Sequence, residues 1–340
     1  MVDRGDREWE VPDAQRALWP DVSGNDINGL GERDVRRPTI VYWPNRNDTS
    51  SIPFGPLVDY FQSNQSKYAP DVTAAFTDWP NRAPRKLDQV AAERTEDTAE
   101  SWTNRVKSFA LADEADLVGV ARVGPNWLYQ ESERADLPWV VVIGVVMDWQ
   151  RFSQVPPTAE NSISALEVGE IYNQVDRAAG KLANCIRGQG WNAEKQGGPA
   201  SGEMLLIPAA VSAGLGELGK HGSLINKEHG SIIRLSRVRT DLPLIPNQSE
   251  IFGADDFCTN CQVCRNACLP DAIHDDKQWV RGEKKWYVDF DKCVPYFNET
   301  FACGICLAVC PWSRPGTAPR LAEKMTRRRV RLAGETSAVT

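Results

Sequence analysis

The hydrophobic pattern predicts strands and helices in the middle of the chain. Trp139 to Met147 is a continuous apolar run rich in β-branched residues, which is typical of a strand buried on both faces. Leu117 to Val123 and Ile232 to Val238 are two further predicted strands. Residues 163–188 carry apolar side chains at helical spacing and end in a Gly-Gln-Gly sequence, so they predict a long amphipathic helix. Strands that alternate with helices predict an α/β (α+β) fold for roughly 100–250.

The regions on either side of this domain have different patterns. Residues 1–100 are rich in Pro, Asn, Asp and Trp and show little periodicity, which predicts extended segments and short helices that wrap a core. A helix is expected from Trp102 to Ala115. The Pro-Asn-Gln-Ser stretch at 246–249 is typical of a linker. We therefore expect four regions: a variable N-terminal segment (1–100), the α/β domain (101–250), a cysteine-rich domain (251–316) and a basic tail (317–340).

Eight of the nine cysteines lie in two runs near the C-terminus. The runs are Cys258-x2-Cys261-x2-Cys264-x3-Cys268 and Cys293-x9-Cys303-x2-Cys306-x3-Cys310, with a proline after the last. Three thiolates of one tight loop reach three corners of a cubane, and the fourth cysteine of the run is carried to the other cluster. The spacing predicts two [4Fe–4S] clusters, one held by Cys258, Cys261, Cys264 and Cys310, the other by Cys268, Cys293, Cys303 and Cys306.

Two other uses of these cysteines fit the sequence less well. Structural zinc takes four ligands for each metal and does not require a crossed fourth cysteine or the trailing proline. Disulfides favour small secreted domains in an oxidising compartment, whereas this chain of 340 residues shows no secretory segment. The cysteine pattern therefore favours iron–sulfur clusters.

Composition and charge narrow the function classes. A net charge of −7 argues against nucleic acid as the main partner, and three histidines argue against a multi-histidine metal site. The best apolar run is far shorter than the roughly 20 residues that span a bilayer. The N-terminus has no visible leader, so we expect a cytoplasmic protein, with a removed twin-arginine leader as the alternative. The basic stretch from Lys324 to Arg331 favours a solvated face, with docking to an acidic partner as the alternative.

Several fragments together resemble the cobalamin-dependent reductive dehalogenases. These are AGLGELGKHG at 213–222, GSIIRLSRVRTDLPL at 230–244 and the two cysteine runs, with GPNWLY at 124–129 and LANCIRGQGWNA at 182–193 as weaker matches. The resemblance covers about 120–315. Epoxyqueuosine reductases are more distant relatives.

The resemblance implies a nitroreductase-like, cobalamin-binding α/β domain followed by a small ferredoxin-like domain with two [4Fe–4S] clusters. It also implies that the glycine loop approaches the corrin, since glycines allow close contact and backbone amides can hold phosphate. A turn after a strand is the alternative for this loop. The expected cobalamin-binding residues are Gly214, Gly216, Glu217, Lys220, His221, Gly222 and Asn226.

The resemblance also bears on the lower ligand of cobalt and on the residue that donates a proton. The sequence has no Asp-x-His-x-x-Gly motif, so cobalt is expected without a histidine from the protein as its lower ligand. Tyr172 matches the family's proton donor. A phenol is a better donor when a nearby cation stabilises its anion, and Arg234 is the first candidate for this cation, with Arg237 and Lys220 as alternatives. A tyrosine that merely packs in the core is the competing interpretation of Tyr172.

Three functions fit the sequence. The first is a reductive dehalogenase acting on a small organohalide, with electrons from an external donor such as a ferredoxin, a flavodoxin or a membrane-anchored reductase. The second is another cobalamin reductase of the epoxyqueuosine type, for which Glu167 or Glu170 would be the acid. The third is an electron carrier with two clusters. Trp127, Trp139 and Trp149 are candidate pocket aromatics, and pairing into a homodimer is left open.

Overall fold

The computed structural model describes residues 9–43, 48–64, 70–77, 86–132, 136–196 and 202–337. The described α-helices are α1 (Asp13–Arg16), α2 (Gly24–Asn28), α3 (Gly55–Ser63), α4 (Pro70–Thr77), α5 (Ala99–Ala112), α6 (Trp149–Phe152), α7 (Ile163–Arg187), α8 (Leu206–Ser212), α9 (Ala254–Asn260), α10 (Val263–Ala267), α11 (Phe290–Glu299), α12 (Ile305–Ala308) and α13 (Ala318–Ser337). The described strands are β1 (Leu117–Arg122), β2 (Trp139–Val146), β3 (Ala193–Gln196), β4 (Glu217–Leu218), β5 (Leu224–Ile225), β6 (Ile233–Thr240), β7 (Gln278–Val280) and β8 (Glu283–Lys285).

The central sheet is antiparallel, with the strand order β1-β2-β6-β3. Strand β2 lies inside the sheet and six of its eight residues are buried, which explains its uninterrupted apolar sequence. Helices α5 and α7 cover one face of the sheet, and α8 covers the other. The fold is therefore the mixed α/β arrangement that the hydrophobic pattern predicted.

Local interactions determine where α5 begins, where α7 ends and how α7 is held on the sheet. Thr98 caps α5, because its hydroxyl accepts the backbone N–H of Ser101. Helix α7 ends at Arg187 with Gly188 as its C-cap, one residue before the predicted limit. The hydroxyl of Ser236 on β6 donates to the Val175 carbonyl at 2.8 Å, so the middle of α7 is fixed directly against the sheet.

The N-terminal segment packs on the cysteine-rich region through buried polar contacts. Gln15 donates to the Pro295 carbonyl at 2.9 Å, and the hydroxyl of Tyr42 donates to Asn298. The Asn25 side chain donates to Asp289 at 2.9 Å. Helix α11 is consequently covered by residues that lie more than 250 positions away in sequence. The four-region division of the chain stays a prediction.

Among the helices that the structure describes, none combines the length and hydropathy that a bilayer-spanning segment needs.

Candidate active site and iron–sulfur centres

The cysteine thiols gather into two groups that combine residues from both sequence runs. In the first thiol group, the charges of Cys310, Cys264 and Cys261 all act on Cys258. In the second thiol group, Cys303 and Cys268 act on Cys293, and Cys306 interacts with all three. This electrostatic coupling is compatible with the two sets that the spacing predicts, Cys258, Cys261, Cys264 and Cys310, and Cys268, Cys293, Cys303 and Cys306, whose role as cluster ligands stays a prediction.

Both groups contain thiols that are costly to ionise without a metal. Burial, together with the charges of neighbouring thiolates, raises the pKa of Cys258 and of Cys264 to about 12. Burial likewise raises the pKa of Cys293 to about 12 and that of Cys303 to about 11. Metal ions that replace the thiol protons would remove this penalty, because bound thiolates have their charge neutralised. Eight soft sulfur donors in two groups fit two [4Fe–4S] clusters, each thiolate meeting a different iron.

The two thiol groups are neighbours. The charge of Cys264 in the first group acts on Cys306 in the second, and the helices that carry these residues, α10 and α12, pack against each other. Backbone amides also point at the sulfur atoms: Lys220 N–H donates to Cys258 Sγ at 3.5 Å, and Ala272 N–H donates to Cys268 Sγ at 3.3 Å. Such donors stabilise cluster thiolates and tune their reduction potential.

The glycine loop at 213–222 is shaped largely by its own packing. A Cβ on Gly216 would lie 2.2 Å from the Ile225 carbonyl oxygen, and one on Gly214 would lie 2.6 Å from the Gln248 carbonyl oxygen. Gly214 and Gly222 have positive φ angles of 74° and 77°. The turn itself therefore requires these glycines, although it follows helix α8, whereas the alternative interpretation assumed a strand. Their role in cobalamin binding stays a prediction.

Glu217 joins this loop to the first cysteine helix. Its buried carboxylate accepts the backbone N–H groups of Phe252, Gly253 and Ala254 at 2.8–2.9 Å, where α9 begins. A carboxylate here satisfies amides that the helix leaves without partners and complements the helix dipole. Glu217 therefore has a structural role that its assignment to cobalamin did not foresee.

We expect Glu217→Gln to destabilise the junction between the sheet and the first thiol group. Loss of the negative charge weakens three buried hydrogen bonds and costs about 1–3 kcal/mol. The midpoint of thermal unfolding should fall. Glu250→Gln is the matched control, because the exposed Glu250 carboxylate pairs only with Lys227 at the surface, at 2.6 Å. Equal midpoints for the two variants would contradict the capping role.

Lys220 and His221 face the first thiol group. The Lys220 ammonium is buried, lies 4.9 Å from the centroid of the Trp286 ring, and acts on Cys264 through its charge. His221 Nε2 lies 3.1 Å from the hydroxyl of Ser231, which in turn hydrogen-bonds Cys310. Burial lowers the pKa of His221 to about 4, so the ring is neutral at neutral pH. Sequence spacing gave no signal for Ser231 or Trp286.

Asn226 holds the turn that follows β5. Its amide nitrogen donates to the Leu215 carbonyl at 2.8 Å, and its oxygen accepts the backbone N–H groups of Glu228 and His229 at 2.9 and 3.0 Å. This side chain connects the glycine loop to the turn before β6, which is a structural function. A cobalamin contact of Asn226 stays a prediction.

Tyr172 and Arg234 meet between α7 and β6. The Arg234 guanidinium carbon lies 5.0 Å from the centroid of the Tyr172 ring. Tyr172 also packs against an apolar cluster whose buried members include Val168, Ile232 and Ala308. Ala308 lies in α12, which also carries Cys306, so the cluster connects the tyrosine to the helix of a ligand candidate of the second thiol group. The structure brings together the donor and the first-choice cation of the prediction.

The alternative cations lie elsewhere. Arg237 is three positions from Arg234 on a strand, so it points to the opposite face, where its guanidinium lies 3.9 Å from Glu203. Lys220 belongs to the surroundings of the first thiol group. Among the described residues, the cation that lies over the Tyr172 ring is Arg234, so Arg234 stays the candidate for stabilising its phenolate.

The two glutamates that could serve as the acid in place of Tyr172 both form ion pairs with the same arginine. Arg151 contacts Glu167 at 2.6 Å and Glu170 at 2.7 Å. Burial raises the pKa of Glu167, although the Asp148 amide and Arg151 oppose this shift. Of the three candidate pocket tryptophans, Trp149 alone packs in the cluster of Tyr172; Trp127 and Trp139 belong to the cores on either side of the sheet.

Comparison with known proteins agrees with this arrangement. Residues 257–313 match the family described as 4Fe-4S dicluster domain, so this part of the chain has the sequence of a domain of that class. A solved catabolic reductive dehalogenase shares the fold, with a TM-score of 0.71 and 23% identity over 92% of this chain and 47% of that one.

Three curated proteins are similar to this chain in sequence. Tetrachloroethene reductive dehalogenase of Sulfurospirillum multivorans is 29% identical over 68% of this chain and 54% of the relative. The protein of that name in Desulfitobacterium hafniense is 27% identical over 79% and 58%. An epoxyqueuosine reductase of Cyclobacterium marinum is 37% identical over 31% and 36%. The chain spans little more than half the length of the two dehalogenases. The chain is similar in sequence to the reductive dehalogenases and, over a shorter part, to the epoxyqueuosine reductases, as the motifs predicted.

Proposed function

We propose that this chain carries out reductive dehalogenation, in which a carbon–halogen bond of a small organohalide is replaced by a carbon–hydrogen bond. The observation that carries the proposal is the position of the Tyr172–Arg234 pair, which packs beside the helix of Cys306. The reaction consumes two electrons and one proton and releases halide. A proton donor close to a chain of electron carriers is therefore the arrangement that it needs.

Tyr172 supplies the proton in this proposal, from its phenol oxygen to the carbon that loses the halogen. The Arg234 guanidinium stabilises the phenolate that remains, since opposite charges attract strongly in a site of low dielectric constant. Tyr172 and Arg234 are both half-buried beside apolar neighbours, among them Met147, Val168 and Ile232. A substrate bound over the pair would exclude the remaining water, strengthen the interaction and restrict the source of the proton to the phenol.

The two thiol groups carry the electrons in this proposal. Electrons enter at the first group and pass to the second, since Cys264 of the first and Cys306 of the second are coupled electrostatically. The second group is placed nearer to Tyr172 in this proposal, because Ala308 of the helix that carries Cys306 belongs to the apolar cluster against which Tyr172 packs. Two single-electron transfers satisfy one turnover.

Cobalamin is the proposed cofactor at which the carbon–halogen bond breaks; when bound, it supplies cobalt(I) as the two-electron reductant. A related protein is described as B12-dependent. Within the described residues, Lys220 Nζ and Arg234 Nε are among the buried donors without a hydrogen-bond partner; Arg237 Nε is another, but it lies on the opposite face of the sheet from Tyr172. Buried donors of this kind require an acceptor, and the amide oxygens and phosphate of a corrinoid are suitable acceptors. Arg234 and Lys220 are therefore the residues that we expect to contact it.

Anaerobic reconstitution tests the proposal. The chain is loaded with iron, sulfide and cobalamin, reduced with titanium(III) citrate, and assayed for halide release over a panel of aryl and alkyl halides. We expect bound corrinoid in the absorption spectrum and halide release above that of free cobalamin. A chain that takes up iron and sulfide but no corrinoid would instead be an electron carrier, and the dehalogenase proposal would fail.

We expect Arg234→Gln to slow halide release by about 10²-fold, because the developing phenolate loses its nearby cation. Arg237→Gln is the matched control on the same strand. It removes a guanidinium from the opposite face and should leave turnover per cofactor-loaded chain unchanged. The rates are compared at equal corrinoid content. A loss confined to Arg237→Gln would reverse the assignment.

A second candidate is reduction of an epoxide by an acid-assisted route. The observation that favours it is the buried carboxyl of Glu167, whose pKa is raised by burial on the same helix as Tyr172. An assay with an epoxyqueuosine-containing RNA stem-loop separates the two. Turnover of the RNA that disappears in Glu167→Gln and persists in Tyr172→Phe would favour this candidate.

A further inference from the structure

A groove opens beside the first thiol group, between the cysteine helices and α13. It has a volume of about 810 Å³ and is lined by both apolar and basic side chains. The apolar ones are Phe257, Val263, Pro311 and Met325, and the basic ones are Lys324, Arg327, Arg328 and Arg331. An apolar centre with a charged rim is the composition of a protein-binding surface.

The charge of this surface is opposite to that of the chain. The stretch 318–331 contains six basic residues and one acidic residue, whereas the whole chain has a net charge of −7. Arg329 pairs with Asp256 at 3.0 Å and so holds α13 against α9. Lys324 and Arg328 are exposed and make no ion pair within the described part of the chain. They are available to a partner of negative charge.

Cys261 lines the same groove. It is the least buried member of the first thiol group, the other members being Cys258, Cys264 and Cys310, all of them buried. A cluster held by these thiols would approach the protein surface at this point. A polyanion such as RNA needs neither the apolar side chains of the groove nor the nearby Cys261 for binding. An electron-carrier protein would use both.

We propose that this groove docks a small acidic electron-carrier protein, which delivers electrons to the cluster of the first thiol group. The inference rests on the proposed function for the direction of electron flow. At each encounter the carrier is oxidised by one electron and the cluster is reduced by one, so two encounters supply one turnover. Redox encounters of this kind bury little surface and depend on charge complementarity for their rate.

Stopped-flow reduction of the reconstituted chain tests the docking site. The probe is a reduced, acidic plant-type [2Fe–2S] ferredoxin, and the signal is bleaching of the [4Fe–4S] absorbance as ionic strength is varied. In the double variant Lys324→Glu/Arg328→Glu, the second-order rate at low ionic strength should fall about tenfold or more. Reduction by dithionite, which needs no docking, should be unchanged. Arg320→Glu is the matched control, because Arg320 is exposed on α13 and outside the groove.

Each result decides the matter. A selective loss with ferredoxin supports the groove, whereas an equal loss in Arg320→Glu or no loss at all overturns it. Weaker binding of an RNA stem-loop or of anionic phosphatidylserine vesicles in the double variant, with an unchanged ferredoxin rate, would assign the groove to that ligand and overturn the proposal. Halide release driven by titanium(III) citrate does not use the groove, so its failure refutes dehalogenation without touching the docking site.

Discussion

Replacing Tyr172 by Phe should reduce halide release by about 10²–10⁴-fold, the usual contribution of a general acid. The substitution removes only the phenol oxygen. The ring keeps its place against the apolar cluster that contains Val168, Ile232 and Ala308, and the Arg234 guanidinium can still lie over it. Iron and corrinoid content should therefore match those of the unsubstituted chain, so that the loss appears in kcat. The measurement is halide release with titanium(III) citrate at saturating substrate.

Tyr42→Phe is the control for this experiment. It also removes a buried phenol oxygen, one that donates to Asn298 and to the Leu57 carbonyl. It should lower stability and leave turnover per loaded chain intact. If Tyr172→Phe retains the original rate, the proton comes from another group, and Arg234 loses its proposed purpose. A solvent isotope effect that vanishes in Tyr172→Phe, while residual turnover continues, would instead support the phenol as donor.

The cysteine groups were predictable because their information is local. A [4Fe–4S] cluster demands three thiolates within a short loop and a fourth from elsewhere, and this demand restricts the sequence spacing directly. The electrostatic coupling of the thiols is compatible with these sets, since Cys310 acts on Cys258 of the first run and Cys268 acts on Cys293 of the second. The nine residues between Cys293 and Cys303 include the rest of helix α11, 294–299. This stretch of helix explains why the spacing in the second run is irregular.

The glycine loop could not be interpreted from its sequence alone. The sequence does not distinguish a glycine that contacts a cofactor from one that packs against backbone. Only the packing shows that Gly216 faces the Ile225 carbonyl. Glu217 and Asn226 raise the same difficulty, since their partners are backbone groups distributed along the chain. The choice between Arg234 and Arg237, by contrast, follows from strand alternation, and the sequence pattern held enough information to make it.

Paired cysteine substitutions should distinguish the crossed clusters from two clusters that each use one run. In Cys264→Ser/Cys310→Ser both changes fall on the first thiol group, although they lie in different runs. One cluster should be lost, leaving about four iron atoms per chain. In Cys264→Ser/Cys268→Ser the changes lie in one run but affect both groups. Both clusters should be lost or strongly depleted, because each retains three cysteine ligands.

Iron analysis and electron paramagnetic resonance of the reduced protein provide the measurement. The first double variant should show the signal of one isolated cluster, without the broadening caused by a neighbouring paramagnet, whereas the second should show little signal. If clusters used one run each, the iron contents would be exchanged between the variants. Because burial raises the pKa of these thiols, cluster loss leaves neutral thiols in the core, and both variants should also unfold at lower temperature.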